Sequence, residues 1–136
     1  LAAVPLELPA GALRTRLASE RLVSSDAWLR HKTTVRARYD AELKRLAADP
    51  ACFDTIFLNE RDEVCEGARS NVFLRRAAGE ALLTPPLSCG LLPGVLRGKL
   101  LDSGEAVECV LSEGDLRSAA ELYLGNALRG LVRVSF

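Results

Sequence analysis

The sequence predicts an α+β domain, a mostly antiparallel, barrel-like sheet with helices outside it. Three observations lead there. The 136 residues are 49% hydrophobic and 26% charged, which suits a single domain with a real core. Segments of strand pattern outnumber helical ones. The two kinds interleave without an internal repeat, linker or low-complexity tract, as expected for strands and helices around one core.

The elements follow in order. Residues 3–8 alternate weakly, and Pro5 makes them an edge strand. Residues 19–24 form a second short strand, ended by the turn Ser24-Ser25-Asp26. Val35, Tyr39, Leu43 and Leu46 recur at helical spacing, so a helix covers 33–48 until Asp49-Pro50 stops it. Strands come next at 54–59, 64–66, 70–75 and 81–84, separated by the polar turn 60–63, by Gly67 and by Ala78-Gly79. Pro85-Pro86 ends the last of them. Pro93-Gly94 opens a helix over 94–103, and Gly104 closes it. A strand at 106–112, a short helix at 116–119 behind the cap Ser112–Asp115, and strands at 121–124 and 131–136 complete the domain.

Composition narrows the function. Eighteen basic and eighteen acidic residues cancel, so nothing steers the chain onto nucleic acid or an anionic membrane surface. No apolar run approaches the ~18 residues of a membrane span. The single histidine, His31, cannot build a multi-histidine metal centre or a His-based triad. The cysteines, Cys52, Cys65, Cys89 and Cys109, form no C-x-x-C pair. No metal site is expected, and the four thiols read as reduced, buried cysteines of a cytoplasmic protein. The chain starts at Leu1 and contains no methionine, so a fragment or processed product of a longer protein is expected. Leu1–Pro9 is too short, and lacks the basic flank, for a signal peptide.

Four places can carry chemistry. Lys32 is one of only three lysines and sits among Arg30, Arg36 and Arg38. Neighbouring cations lower an amine's pKa and make it a better nucleophile, although a solvated lysine at an element boundary has the same local pattern. Glu66 ends a strand before Gly67-Ala68-Arg69-Ser70-Asn71. If it faces inward, it is a buried carboxylate in need of a partner, and a protonated ring nitrogen is one. Gly90-Leu91-Leu92-Pro93-Gly94 leads into a helix whose first-turn amides can seat a phosphate, although it is not a Walker loop. Leu124-Gly125-Asn126-Ala127-Leu128-Arg129-Gly130 offers a second backbone approach to a ligand. An amine, a carboxylate and an anion-holding helix end are together what pyridoxal 5'-phosphate requires.

The order of these segments carries a resemblance. His31-Lys32-Thr33-Thr34 with Arg36 and Tyr39-Asp40, Glu66-Gly67-Ala68-Arg69-Ser70-Asn71-Val72-Phe73, Leu83-Thr84-Pro85-Pro86, Gly90–Arg97 and Asn126-Ala127-Leu128-Arg129-Gly130 closely resemble the fold-type IV pyridoxal-phosphate enzymes. The likeness covers roughly residues 20–134 and matches the large, C-terminal domain of that superfamily. The whole chain, 1–136, is then one domain, and the small N-terminal domain lies outside it. The His-Lys-Thr-Thr and Asn-Ala-Leu-Arg-Gly forms look most like the 4-amino-4-deoxychorismate lyases, especially the lyase-like domain fused behind aminodeoxychorismate synthase component I.

Carried over by position, the resemblance implies that Lys32 is the Schiff-base lysine and proton shuttle. Glu66 pairs with the pyridine nitrogen, Gly94, Val95 and Leu96 hold the phosphate, and Asn126 lines its side of the pocket. Arg69, Ser70 and Arg129 are candidates for contact with the substrate. Val35 and Leu96 stand where many relatives have Asn and Thr, and Gly125 stands where some have Thr. The implied activity is the conversion of 4-amino-4-deoxychorismate to 4-aminobenzoate and pyruvate for folate synthesis. An aminotransferase on the same residues is the alternative enzyme, and a non-catalytic domain that kept the fold is the alternative outside enzymology. The implied partners are a small-molecule substrate and, in the full-length protein, a second copy in a homodimer.

Overall fold

The computed structural model describes residues 13–25 and 37–136. The strand expected at 3–8, the start of the helix expected from 33, and Lys32 lie outside these residues. The described elements are β1 (Leu13–Leu22), α1 (Ala37–Ala47), β2 (Cys52–Asn59), β3 (Val64–Gly67), β4 (Asn71–Arg75), β5 (Leu82–Thr84), α2 (Val95–Asp102), β6 (Ala106–Glu108), α3 (Glu113–Ser118), β7 (Glu121–Asn126) and β8 (Gly130–Ser135). A single 3-10 turn at Leu87–Cys89 precedes α2.

The strands run in the order β3-β2-β1-β8-β7-β4, and a β3–β4 pairing closes them into a barrel. Strands β5 and β6 extend the sheet beyond β4. Five pairings are antiparallel, whereas β1–β2, β1–β8 and β5–β6 are parallel. Parallel neighbours need a crossover. Along the chain α1 lies between β1 and β2, and α2 between β5 and β6.

Side-chain alternation sorts the wall into two faces. Val72 and Leu74 of β4 join Ile56, Leu58, Val64, Leu122, Leu124, Val132 and Val134 in the main core. Phe73, between them in sequence, packs instead with Tyr123, Leu131, Leu96 and Leu100 beneath α2. Phe57 and Cys65 pack with Tyr39 and Leu43 of α1. The barrel is therefore filled inside and covered outside by helices.

Some boundaries differ from expectation. The second strand is not 19–24 but β1, Leu13–Leu22. A register shift against β2 between Leu17 and Arg21 puts the buried residues Thr15, Ala18 and Leu22 out of period two, which hides the strand pattern. The strand expected over 106–112 ends at Glu108. Beyond it the chain changes partners: Cys109 N–H donates to Thr84 O at 2.9 Å, and Leu111 O accepts from Val64 N–H at 2.8 Å. The short helix starts at Glu113 rather than 116, because Ser112 and Asp115 form a reciprocal capping box. Strand β7 continues to Asn126 and pairs there with Gly130 of β8.

Candidate active site

The site is assembled on the outer face of the barrel. Glu66 pairs with Phe57 on one side and with Asn71 on the other, so these side chains share the face that turns away from the main core. The Glu66 carboxylate is buried. Its Oε2 accepts the Tyr39 hydroxyl at 2.6 Å, and its Oε1 accepts the Leu92 backbone N–H at 3.0 Å. The carbonyl of Leu92 in turn accepts Asn71 Nδ2 at 3.0 Å and the Gly94 N–H at 2.9 Å. One residue of the Gly90–Gly94 loop is thus tied through its amide to β3 and through its carbonyl to β4.

That loop delivers the N-terminus of α2. Gly94 is the cap, and the first helical bond runs from Gly98 N–H to its carbonyl at 3.0 Å. The amides of Val95, Leu96 and Arg97 have no acceptor within the helix, which is the arrangement that holds an anion. A Cβ at Gly94 would lie 2.4 Å from Asn71 Oδ1, so only glycine lets the cap approach β4 this closely. Arg97 is buried in the first turn and reaches Pro85 O at 3.1 Å and Glu108 Oε2 at 2.5 Å. It fixes the helix end against β6.

The turn between β3 and β4 is built around Asp54 of β2. Its Oδ1 accepts Thr55 and Ala68 N–H at 2.8 and 3.0 Å. Its Oδ2 accepts Arg69 N–H at 3.1 Å and the Ser70 hydroxyl at 2.7 Å. Burial pushes the Asp54 carboxyl above the usual range, and these donors pull it back only in part. Asn126 closes the other side. Its Nδ2 donates to Arg69 O at 2.9 Å, and its Oδ1 accepts Leu128 and Arg129 N–H at 3.1 and 2.9 Å.

Between these groups lies a cleft of about 480 Å³, lined by Glu66, Ser70, Asn71, Gly94, Val95 and Asn126 among others. Its size suits a small-molecule ligand. Val95 and Leu128 stand exposed on its lining. Of the expected site residues, Glu66, Arg69, Ser70, Gly94, Val95 and Asn126 line this one cleft, and Leu96 directs its side chain into the packing beneath α2. The Ser70 hydroxyl is engaged by Asp54. The Arg69 guanidinium donates to Phe53 O and sits 4.7 Å from the Phe53 ring centre, and that of Arg129 sits 5.7 Å from the same ring. Lys32 lies outside the described residues.

Two site residues escaped the sequence reading. Asp54 stands beside Thr55 and the short apolar run 56–58, a pattern that does not reveal its distant partners. Tyr39 falls on a helical face and in the segment that carries the resemblance, and neither assigns it a role. Among the described residues no group of His, Cys, Asp and Glu is placed to hold a metal ion. Cys52, Cys65, Cys89 and Cys109 are free, the first three buried, and burial pushes the Cys65 thiol up and that of Cys89 to about 11. Neither is a nucleophile at neutral pH.

Comparison with known proteins places this geometry. A family model described as Amino-transferase class IV matches residues 2–135. A Thermotoga maritima protein named a probable branched-chain-amino-acid aminotransferase is 34% identical over 88 residues, 61% of this chain and 32% of its own. The aminodeoxychorismate lyase of Bacillus subtilis is 31% identical over 94 residues, 65% of this chain and 31% of its own. The crystal structure of a candidate amino-acid aminotransferase from Mesorhizobium loti superposes with a TM-score of 0.84 at 42% identity, over 97% of this chain and 64% of that one. The chain spans about a third of the length of the curated relatives it matches.

Proposed function

Because the chain belongs to the class IV amino-transferase family of fold-type IV pyridoxal-phosphate enzymes, we propose that it binds pyridoxal 5'-phosphate and, within its full-length protein, acts as a 4-amino-4-deoxychorismate lyase. The observation that carries the cofactor reading is the shared cleft. A buried carboxylate, a helix end with free amides and a glycine cap admitting no Cβ face one space, and that donor set matches a ring nitrogen and a phosphate. The cofactor supplies an electron sink that stabilises negative charge on the substrate's amine-bearing carbon.

This chain's residues do the rest. Glu66 accepts the pyridine N–H and keeps that proton on the ring nitrogen. The amides of Val95 and Leu96 seat the phosphate and fix the ring's orientation. Asn126 holds the turn that covers the phosphate side. Lys32 removes the proton from the amine-bearing carbon of the substrate. The ether bond to the enolpyruvyl group then breaks, the ring becomes aromatic, and the departing enolpyruvate takes up a proton to become pyruvate. The resemblance of His31-Lys32-Thr33-Thr34 and Asn126–Gly130 to the lyase branch supports this reaction, as does the identity with the Bacillus subtilis lyase.

A second reading, an aminotransferase on the same residues, is favoured by the greater identity with the Mesorhizobium loti and Thermotoga maritima proteins. The full-length protein, supplied with pyridoxal phosphate and 4-amino-4-deoxychorismate, is expected to release 4-aminobenzoate and pyruvate in equal amounts. Lys32→Ala is expected to abolish that release together with the lysine-dependent yellow absorbance. Amino transfer to α-keto acids without 4-aminobenzoate would establish the second reading instead.

A further inference from the structure

We propose that Tyr39 is a positioning residue for the cofactor: its phenol fixes the rotamer of Glu66 so that the carboxylate meets the pyridine nitrogen. The inference rests on the cofactor reading above.

The geometry is specific. Tyr39 Oη donates to Glu66 Oε2 at 2.6 Å, the range of a hydroxyl bonded to a carboxylate. Leu92 N–H occupies the other oxygen, Oε1, at 3.0 Å. A glutamate side chain has three rotatable bonds, and ordering it costs entropy at the moment of binding unless it is already ordered. Donors on both oxygens order it beforehand. One comes from the loop that opens α2 and the other from α1, so the carboxylate plane is set from two directions.

The phenol is itself fixed. Tyr39 is buried, and its ring meets Phe57 edge to face, with centroids 5.0 Å apart and planes at 85°. Phe57 is in turn the ladder partner of Glu66. The tyrosine therefore braces the strand pair as well as the carboxylate, and phenylalanine would keep the brace and lose the hydrogen bond. Tyr39 also lies seven residues beyond Lys32, so the element that follows the lysine makes direct contact with the group that holds the ring nitrogen.

The test is a double-mutant cycle on cofactor affinity in the full-length protein, with pyridoxal phosphate as the probe and the thermal midpoint of the apo-protein read alongside. Tyr39→Phe should raise the cofactor Kd by about tenfold, the effect of losing one hydrogen bond to a charged group. In a Glu66→Gln background, the same change should raise it less than about twofold, because the charge being positioned is gone. A merely structural tyrosine would lower the thermal midpoint and weaken binding by the same factor in both backgrounds, and that result overturns the proposal. Equal affinity of Tyr39→Phe and wild type also overturns it and leaves the cofactor reading intact. Absence of cofactor binding by the wild-type protein removes both.

Discussion

A Cβ built at Gly67 would lie 2.4 Å from Asp54 Oδ2 and 2.5 Å from the Ser70 hydroxyl, inside the hydrogen-bond cluster that holds the β3–β4 turn. Neither neighbour can give way without releasing a donor, so Gly67→Ala should destabilise the protein by about 1–3 kcal/mol. Gly98 is the contrast. It lies in α2 with nothing within 4 Å of an added Cβ, and Gly98→Ala should stabilise the protein by about 1 kcal/mol through helix propensity alone. Urea denaturation of the two variants checks the opposite signs. The same scale explains what could be read in advance. Glu66, Gly94 and Asn126 were legible because each belongs to a short segment whose chemistry is local. Asp54 was not, since three of its four donors lie 14 to 16 residues further on. The departures Leu96 and Gly125 looked independent in the sequence. In the fold they touch: a Cβ at residue 125 would come within 2.9 Å of Leu96 Cδ2, so the larger side chain and the missing one are complementary.

At the scale of the element, α3 shows how a six-residue helix persists. Ser112 accepts from Asp115 N–H at 3.2 Å, Asp115 Oδ2 accepts from Ser112 N–H at 2.8 Å, and Arg76 reaches Asp115 Oδ1 at 2.6 Å. These donors hold the Asp115 carboxyl below its usual range, the Ser112 amide contributing most. A depressed folded pKa gives stability that is present above the unfolded value near ~3.9 and lost as pH falls through the folded one. Asp115→Asn should therefore cost about 1 kcal/mol at pH 7, and the difference should shrink as acid protonates the folded carboxyl, as measured by thermal melts from neutral to acid pH. Elements with such local signals were readable: α2 was expected over 94–103 and spans Val95–Asp102. The β1 strand was misread because its pairing is parallel and irregular. Its evidence lies in β2, and no local alternation reports a partner some 40 residues away.

Across the whole molecule the seams of the barrel are unequal. Strand β4 pairs with β7 over five residues, whereas β3 meets β4 at one pair and β1 meets β8 at two. Native-state hydrogen exchange should find the slowest amides in β4 and β7, with those bridging β1 and β8 opening at lower free energy. Equal protection at both seams would show that the barrel opens only by global unfolding. The barrel class was legible from the count and spacing of strands, but its closure was not, because that is a property of which edges meet. The β1–β8 seam also bears on synthesis. Leu13 has Val134 as its partner, a residue made about 120 peptide bonds later. At ribosomal speeds of about 5–20 residues per second, β1 waits roughly 6–24 s for the strand that covers its second edge. For that interval the nascent chain presents an unpaired edge, and Arg14, Arg16, Glu20 and Arg21, the charged residues of β1, are what keep that edge from recruiting a neighbouring chain on the same polysome.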